Sequence, residues 1–379
     1  MDTFRKLPVG VQDFEKLRSE EYIYVDKTAW LYRLAQTSRQ YFLERPRRFG
    51  KSLFLSTLGA YFRGKKELFD GLAIAELEQD WTEHPVFYLD MNVEACTDVE
   101  SLYSALNSNL EPLESVWGKI AAEDTPAARF YGLIRRAHEK TGRRVVVLVD
   151  EYDKPLLGTM DNPKEYDEVR KILAGFYCTL KSADASLRFV MLTGVTRFPN
   201  ASVFSDLNHL TDISLDTDYA GVCGISQTEL TATFLPELES LAKKCRFTRK
   251  ATLAELEKRC GGYHFARKSE NIHNPFSLLN TFDKMDFRNY WFATGTPTFL
   301  VKILRQVDFD VKTLEKEVKI QEEAINDYRI EHGDPIPLLY QSGYLTITDY
   351  DARLNMYTLG FPNEDVKYSF FNGLLPRKR

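Results

Sequence analysis

At 379 residues, with 44% hydrophobic and 28% charged content, the chain can build an ordinary globular core divided among about two or three domains, which excludes a disordered polymer. A formal net charge of -5 with a pI near 5.8 excludes a protein that coats nucleic acid with its whole surface and leaves only a local basic face for such a role. No apolar run approaches the roughly 20 residues that span a bilayer, and the first residues lack a signal-peptide core, so the expected address is the cytoplasm, with no membrane partner.

In chain order, Gln40 to Leu43 is a short apolar run followed by a polar, Gly-containing turn and then by Ser52 to Phe62, whose leucines and phenylalanines suit a helix. Pro85 to Asn92 is the next predicted strand. Arg144 to Asp150 is the strongest, an unbroken β-branched run of the kind buried on both faces of a sheet. Leu187 to Thr193 runs up to Gly194, and a weaker strand, His209 to Leu215, follows. Helical patterns at Ser101 to Ile120, Ala127 to Lys140 and Tyr166 to Ser182 fall between these runs. Such alternation predicts an α/β fold over residues 1–225, a parallel sheet flanked by helices.

From Ser226 the pattern turns to amphipathic helices, predicting a helical lid over residues 226–296. Residues 297–379 hold two helical stretches, and the charged run from Thr313 to Asp327 reads as a solvated helix face. Two short strands then follow, Gly343 to Ile347 and Leu354 to Gly360, around Asp349-Tyr350-Asp351, which suggests the wing of a winged-helix-like region. Cys96, Cys178, Cys223, Cys245 and Cys260 form no CxxC pair and are expected to be reduced thiols.

The chemistry concentrates between the first strand and its helix, in Arg45-Pro46-Arg47-Arg48-Phe49-Gly50-Lys51-Ser52-Leu53. In a P-loop, backbone N–H groups and a helix N-terminus surround phosphates, a lysine reaches the β and γ phosphates, and the next hydroxyl meets Mg²⁺. Gly50, Lys51 and Ser52 fit those last three places, whereas Arg45 stands where the consensus turns on glycine. A helix that merely begins on a basic loop would look the same over three residues.

The apolar strand Val145 to Val149 ends in Asp150 and Glu151, one carboxylate for the metal shell and one to orient or polarise an attacking water. A solvated acidic loop is the plainer reading of Asp150-Glu151-Tyr152-Asp153. Thr193 is a candidate for the γ-phosphate or for a bond to its own backbone, and Arg197 for an arginine finger or an ordinary surface charge. His264 is a lid candidate, and Asp26 with Lys27 suggests a base-side or structural contact.

At these residues the sequence resembles the AAA-ATPase-like family of bacterial P-loop NTPases (the AAA/ASCE type), which often carry a C-terminal PD-(D/E)XK nuclease domain. The resemblance rests on Leu7 to Arg18 with Tyr24 to Thr28, Arg45 to Leu53, Val146 to Leu156, Leu192 to Phe198, Cys223 to Ser226, Gly261 to Phe265 and Asn274 to Asn280. It implies ATP and Mg²⁺ as cofactors, held by Lys51, Ser52, Asp150 and Glu151. It also implies that arginine at position 45 is usual, and that the strand Leu187 to Thr193 is inserted between the P-loop strand and the acidic strand. No Asp and Glu-x-Lys pair follows Asn363, so nuclease activity is not expected of this chain.

The expected function is Mg-dependent ATP binding and hydrolysis, coupled to a partner or to the missing nuclease. The alternative is a nucleotide-gated binding module or a nucleic-acid adaptor using Lys312, Lys316, Lys319, Arg377, Lys378 and Arg379. Partners left open are a second copy of the chain and a DNA or protein partner at the C-terminal region.

Overall fold

Four apolar runs and one short polar strand meet as one parallel sheet: β1 (Gln40–Glu44), β2 (Val86–Asp90), β3 (Val145–Asp150), β4 (Leu187–Gly194) and β5 (Leu210–Asp212), in the order β2-β3-β4-β1-β5. The computed structural model describes residues 5–37, 40–197, 210–293, 300, 303–304, 307, 309–325 and 334–374. The chain forms two units, one of Thr28–Glu44 and Leu55–Ile213 and the other of Met1–Lys27, Arg45–Phe54 and Ser214–Arg379.

In the sheet unit, β4 lies between β1 and β3, the insertion that the family resemblance implied. Every residue of β1 and β3 is buried, and only Arg188 of β4 is partly exposed. That matches strands covered on both faces. The outer strand β2 alternates between buried and half-buried residues. His209, placed in the fifth strand by its sequence, lies outside the described residues.

The flanking helices begin and end where the sequence supplies caps. Asp98 closes a capping box on Val99–Trp117, and Thr125 and Asn162 cap Pro126–Thr141 and Pro163–Ser182, each with a proline in its first turn. Gly142 ends the second of these in a left-handed conformation. Phe130 and Phe176 stack at 4.7 Å between ring centroids, joining two of these helices.

In the second unit, the helices Gln227–Thr233, Leu235–Cys245, Arg249–Cys260 and Pro275–Lys284 bury Leu230, Phe234, Leu238, Leu241, Leu256, Leu278 and Phe282 in one cluster. A two-residue ladder pairs β6 (Ile225–Ser226) with β7 (Ile272–His273). Further along, β8 (Val318–Gln321), β9 (Thr346–Asp351) and β10 (Met356–Gly360) form an antiparallel sheet in the order β8-β10-β9.

An antiparallel hairpin is present within residues 343–360, but Asp349, Tyr350 and Asp351, expected as its turn, belong to β9 and pair with β10. Asn326 and Asp327 lie outside the described residues, and the expected helix face is absent over 313–325. That segment is a 3₁₀ turn (Val311–Glu315), then β8, then the short helix Glu322–Ile325. Ile320, buried opposite Tyr357, sets a period of two that the surrounding charges conceal. Lys312, Lys316 and Lys319 consequently share no helix face, and Arg377, Lys378 and Arg379 lie outside the described residues. Among the described residues, no helix is long and apolar enough to cross a membrane.

Candidate functional site

From Glu44, the last residue of β1, the chain enters the bend Arg45 to Gly50 and then the helix Lys51–Phe62. The left-handed conformations of the bend fall at Arg48 (φ 67°) and Gly50 (φ 92°), not at Arg45. Glycine adopts such a φ without penalty, whereas for arginine it is uncommon.

Arg45 instead turns inward. Its side chain is 1% exposed, with Nη1 donating to the Ser214 carbonyl at 2.7 Å and Nη2 to the Tyr219 carbonyl at 3.1 Å. The guanidinium also lies 4.4 Å from the centroid of the Phe265 ring. Arg45 thus engages carbonyl oxygens and an aromatic face, the surroundings of an anchor.

The same bend is held at its centre. Phe49 is buried edge-on against Tyr263 and Phe265 at 4.8 and 5.2 Å, and its carbonyl accepts the Gly224 N–H at 2.9 Å. Arg48, itself exposed, lies 4.9 Å from the Phe276 centroid. Lys51 donates to the carbonyls of Arg45 and Pro46 at 2.8 and 3.1 Å, so its ammonium is fixed by the loop it follows. Ser52, Leu53 and Arg47 are half-buried, and Pro46 is buried. A helix N-terminus of this kind presents N–H groups and the positive end of the helix dipole.

In the sheet unit, β1 and β3 end at the same edge, with β4 between them placing Leu43 beside Thr193 and Val149 beside Leu192. Asp150 ends β3, is buried, and accepts the Thr193 hydroxyl at 2.9 Å and the Tyr88 hydroxyl at 3.3 Å. The Thr193 hydroxyl therefore serves the neighbouring strand, its other contact being the Val149 carbonyl at 3.4 Å.

Glu151 follows at φ 51°, a left-handed conformation that costs an ordinary residue about 1–3 kcal/mol. Arg197 is half-buried and ion-paired with Asp212 at the end of β5. Asp153 is fully buried, so residues 150–153 are not the solvated loop that their charge alone would suggest. Asp90 ends β2 in register with Asp150, with its N–H donating to Asn109 Oδ1 at 2.8 Å. Burial raises its carboxyl above the ordinary range, and the nearby charges of Asp150 and Glu151 add to that.

Asp90 and Asp153 are the acidic residues that motif reading missed. A carboxylate near the end of the predicted strand Pro85 to Asn92 was the available signal for the first, and nothing local marked the other. Among the described residues, no group of three or more His, Cys, Asp or Glu side chains could hold a metal by itself.

The remaining candidates are packed in the second unit. Lys27 is buried, donating to the Gly221 carbonyl at 2.7 Å and to both Glu229 oxygens at 2.6 and 2.7 Å. His264 is half-buried, with its N–H donating to Thr346 Oγ1 at 2.7 Å and its Nδ1 3.2 Å from the Ser269 carbonyl. All five cysteines are free thiols, three of them buried.

A family described as Predicted AAA-ATPase matches residues 8–204. A protein described as uncharacterized, in the vnfD 5′ region of Azotobacter chroococcum mcd 1, is 40% identical over 377 residues, covering 98% of this chain and 70% of that protein. Among solved structures, the Aeropyrum pernix ORC2 protein in its ADPNP-ADP complexes aligns over 99% of this chain and 97% of that one. Its identity is 10% and its TM-score 0.22, too slight a likeness to bear on function.

Proposed function

The chain belongs to the AAA-ATPase-like family, for which nucleotide binding is the family-level function, and we propose that it binds ATP with Mg²⁺ and hydrolyses the γ-phosphate. The observation that carries this reading is the sheet order β2-β3-β4-β1-β5. It ends the acidic strand and the strand feeding the Arg45 to Ser52 bend at one edge, with Thr193 bonded to Asp150 on the strand between them.

On this reading, the first-turn amides before Ser52 and the Lys51 ammonium bind the phosphates. Glu151 takes a proton from the attacking water as the β–γ bridging bond breaks, Thr193 keeps Asp150 in place through its hydroxyl, and Arg197 steadies the transferred phosphate's charge. Asp150 and the Ser52 hydroxyl are hard oxygen donors, and Mg²⁺ is ordinarily held by one or two carboxylates together with phosphate oxygens, so these residues fit it. When bound, the ion would neutralise charge on the phosphates. Arg45 contributes its backbone to the bend and its side chain to the packing beneath it.

Residues 297–379 we read as a winged-helix-like region facing a partner, a reading supported by the antiparallel order β8-β10-β9. Two substitutions test the chemistry. Lys51→Ala is expected to abolish nucleotide affinity or turnover, whereas Glu151→Gln retains nucleotide and slows hydrolysis by about 10²–10⁴-fold. Equilibrium binding of a fluorescent ATP analogue and phosphate release, measured on both variants, decide it. Variants indistinguishable from wild type remove the mechanism, and binding without any turnover in wild type leaves only a nucleotide-gated module.

A further inference from the structure

Asp153 stands at the N-cap of the helix Lys154–Thr159, where an aspartate ordinarily accepts an amide of its own helix. No such cap bond is made, and Pro155 occupies the first turn. The carboxylate crosses instead to the chain leaving β4: Oδ2 accepts the N–H of Val195 at 3.0 Å, the N–H of Thr196 at 2.7 Å and the Thr196 hydroxyl at 2.7 Å. It is fully buried, a setting in which a carboxylate persists only when its hydrogen bonds compensate for lost water.

Tyr152 grips the same segment, donating its N–H to the Thr193 carbonyl at 2.9 Å and its hydroxyl to the Thr196 carbonyl at 2.8 Å. Gly194 makes this approach possible, since a Cβ there would lie 2.6 Å from the Tyr152 ring and 2.8 Å from Asp153 Oδ1. Residues 152–153 and 193–196 are therefore one clamp, which joins the turn bearing Asp150 and Glu151 to the segment bearing Thr193 and Arg197.

We propose that Asp153 is a positioning residue for hydrolysis. It fixes the exit of β4 against the acid-bearing turn, so that Thr193 and Arg197 keep their placement relative to Asp150 and Glu151. This rests on the ATPase reading above. Asp153 touches no nucleotide in this scheme, so its loss is felt in turnover more than in binding.

The test uses the full chain with Mg²⁺ and ATP, comparing wild type, Asp153→Ala, Asp153→Asn and Thr196→Val by kcat, nucleotide Kd and amide hydrogen exchange of residues 193–197. Asp153→Ala is expected to lower kcat by at least about tenfold with Kd within about threefold, while exchange of the Val195 and Thr196 amides rises. Asp153→Asn keeps an acceptor oxygen and is expected to recover most of the rate. Thr196→Val, which removes one of the three bonds, falls between and carries the test if the alanine variant does not fold.

Unchanged kcat per folded molecule in Asp153→Ala, or in Thr196→Val where the alanine variant does not fold, overturns the proposal, as does unchanged exchange at Val195 and Thr196. A wild type with no turnover sinks the ATPase reading itself and takes the proposal with it, an outcome distinct from an active wild type beside equally active variants.

Discussion

Arg45 is the residue at which motif and packing part company. The P-loop pattern reserves its position for glycine because a turn is expected there, yet the left-handed backbone falls at Arg48 and Gly50 instead. What position 45 requires is a guanidinium that spans two carbonyls and lies against an aromatic ring, a planar fork that lysine does not reproduce. Restoring the consensus should therefore harm the protein. Arg45→Gly removes two bonds from a charged donor, each worth about 1.5–3 kcal/mol, so a loss of about 3 kcal/mol or more is expected in urea unfolding. A glycine variant as stable as wild type would sink the anchor reading. The sequence could not distinguish an arginine that grips phosphate from one that grips carbonyls, because Ser214 and Tyr219 lie 169 and 174 residues further on.

Elements whose composition states their environment were legible. The runs that became β1 to β4 are apolar and bounded by turn residues, and the helical patterns at 101–120, 127–140 and 166–182 fall on real helices, although the caps Asp98, Thr125 and Asn162 start each one to three residues earlier. By contrast, β8 was hidden because one buried residue, Ile320, sits among charges, and its partner strand comes some forty positions later. The helix Gln227–Thr233 depends on a contact equally invisible to local pattern. Glu229 closes a capping box with Ser226 while pairing with the buried Lys27, 202 residues away. Burial depresses the Lys27 pKa, against which the Glu229 charge pulls upward. Glu229→Ala strands that ammonium and opens the cap, so a loss of about 3–5 kcal/mol is expected. The double variant Lys27→Met with Glu229→Leu should cost less, because it leaves no unpaired charge. Chemical denaturation of the two variants checks the order, and a double variant less stable than Glu229→Ala would contradict it.

At the scale of the molecule, the family resemblance made the place of β4 between β1 and β3 legible but not the outer places of β2 and β5, and the grouping of residues 45–54 with 214–379 arises from long-range contacts such as Arg45 to Ser214. That second unit also buries a titratable group with no function assigned to it above. His273 in β7 is fully buried; its Nδ1 faces the Ile225 carbonyl at 3.3 Å and so must donate, leaving Nε2 as an acceptor with no partner among the described residues. Burial lowers its pKa from 6.5 to about 4, the carbonyl opposing this only in part. Since the folded value lies below the unfolded one, the unfolded chain binds the extra proton first. Stability is therefore full above about pH 6.5, falls as pH drops towards about 4, and loses nothing more from this group once both states are protonated. The span corresponds to about 3 kcal/mol. Other groups also titrate across this range, so the informative quantity is the difference between wild type and His273→Gln in urea unfolding at several pH values. Wild type should lose more stability than the variant between pH 6.5 and 4, whatever their offset at neutral pH, and parallel curves would show that the imidazole is not the group that charges.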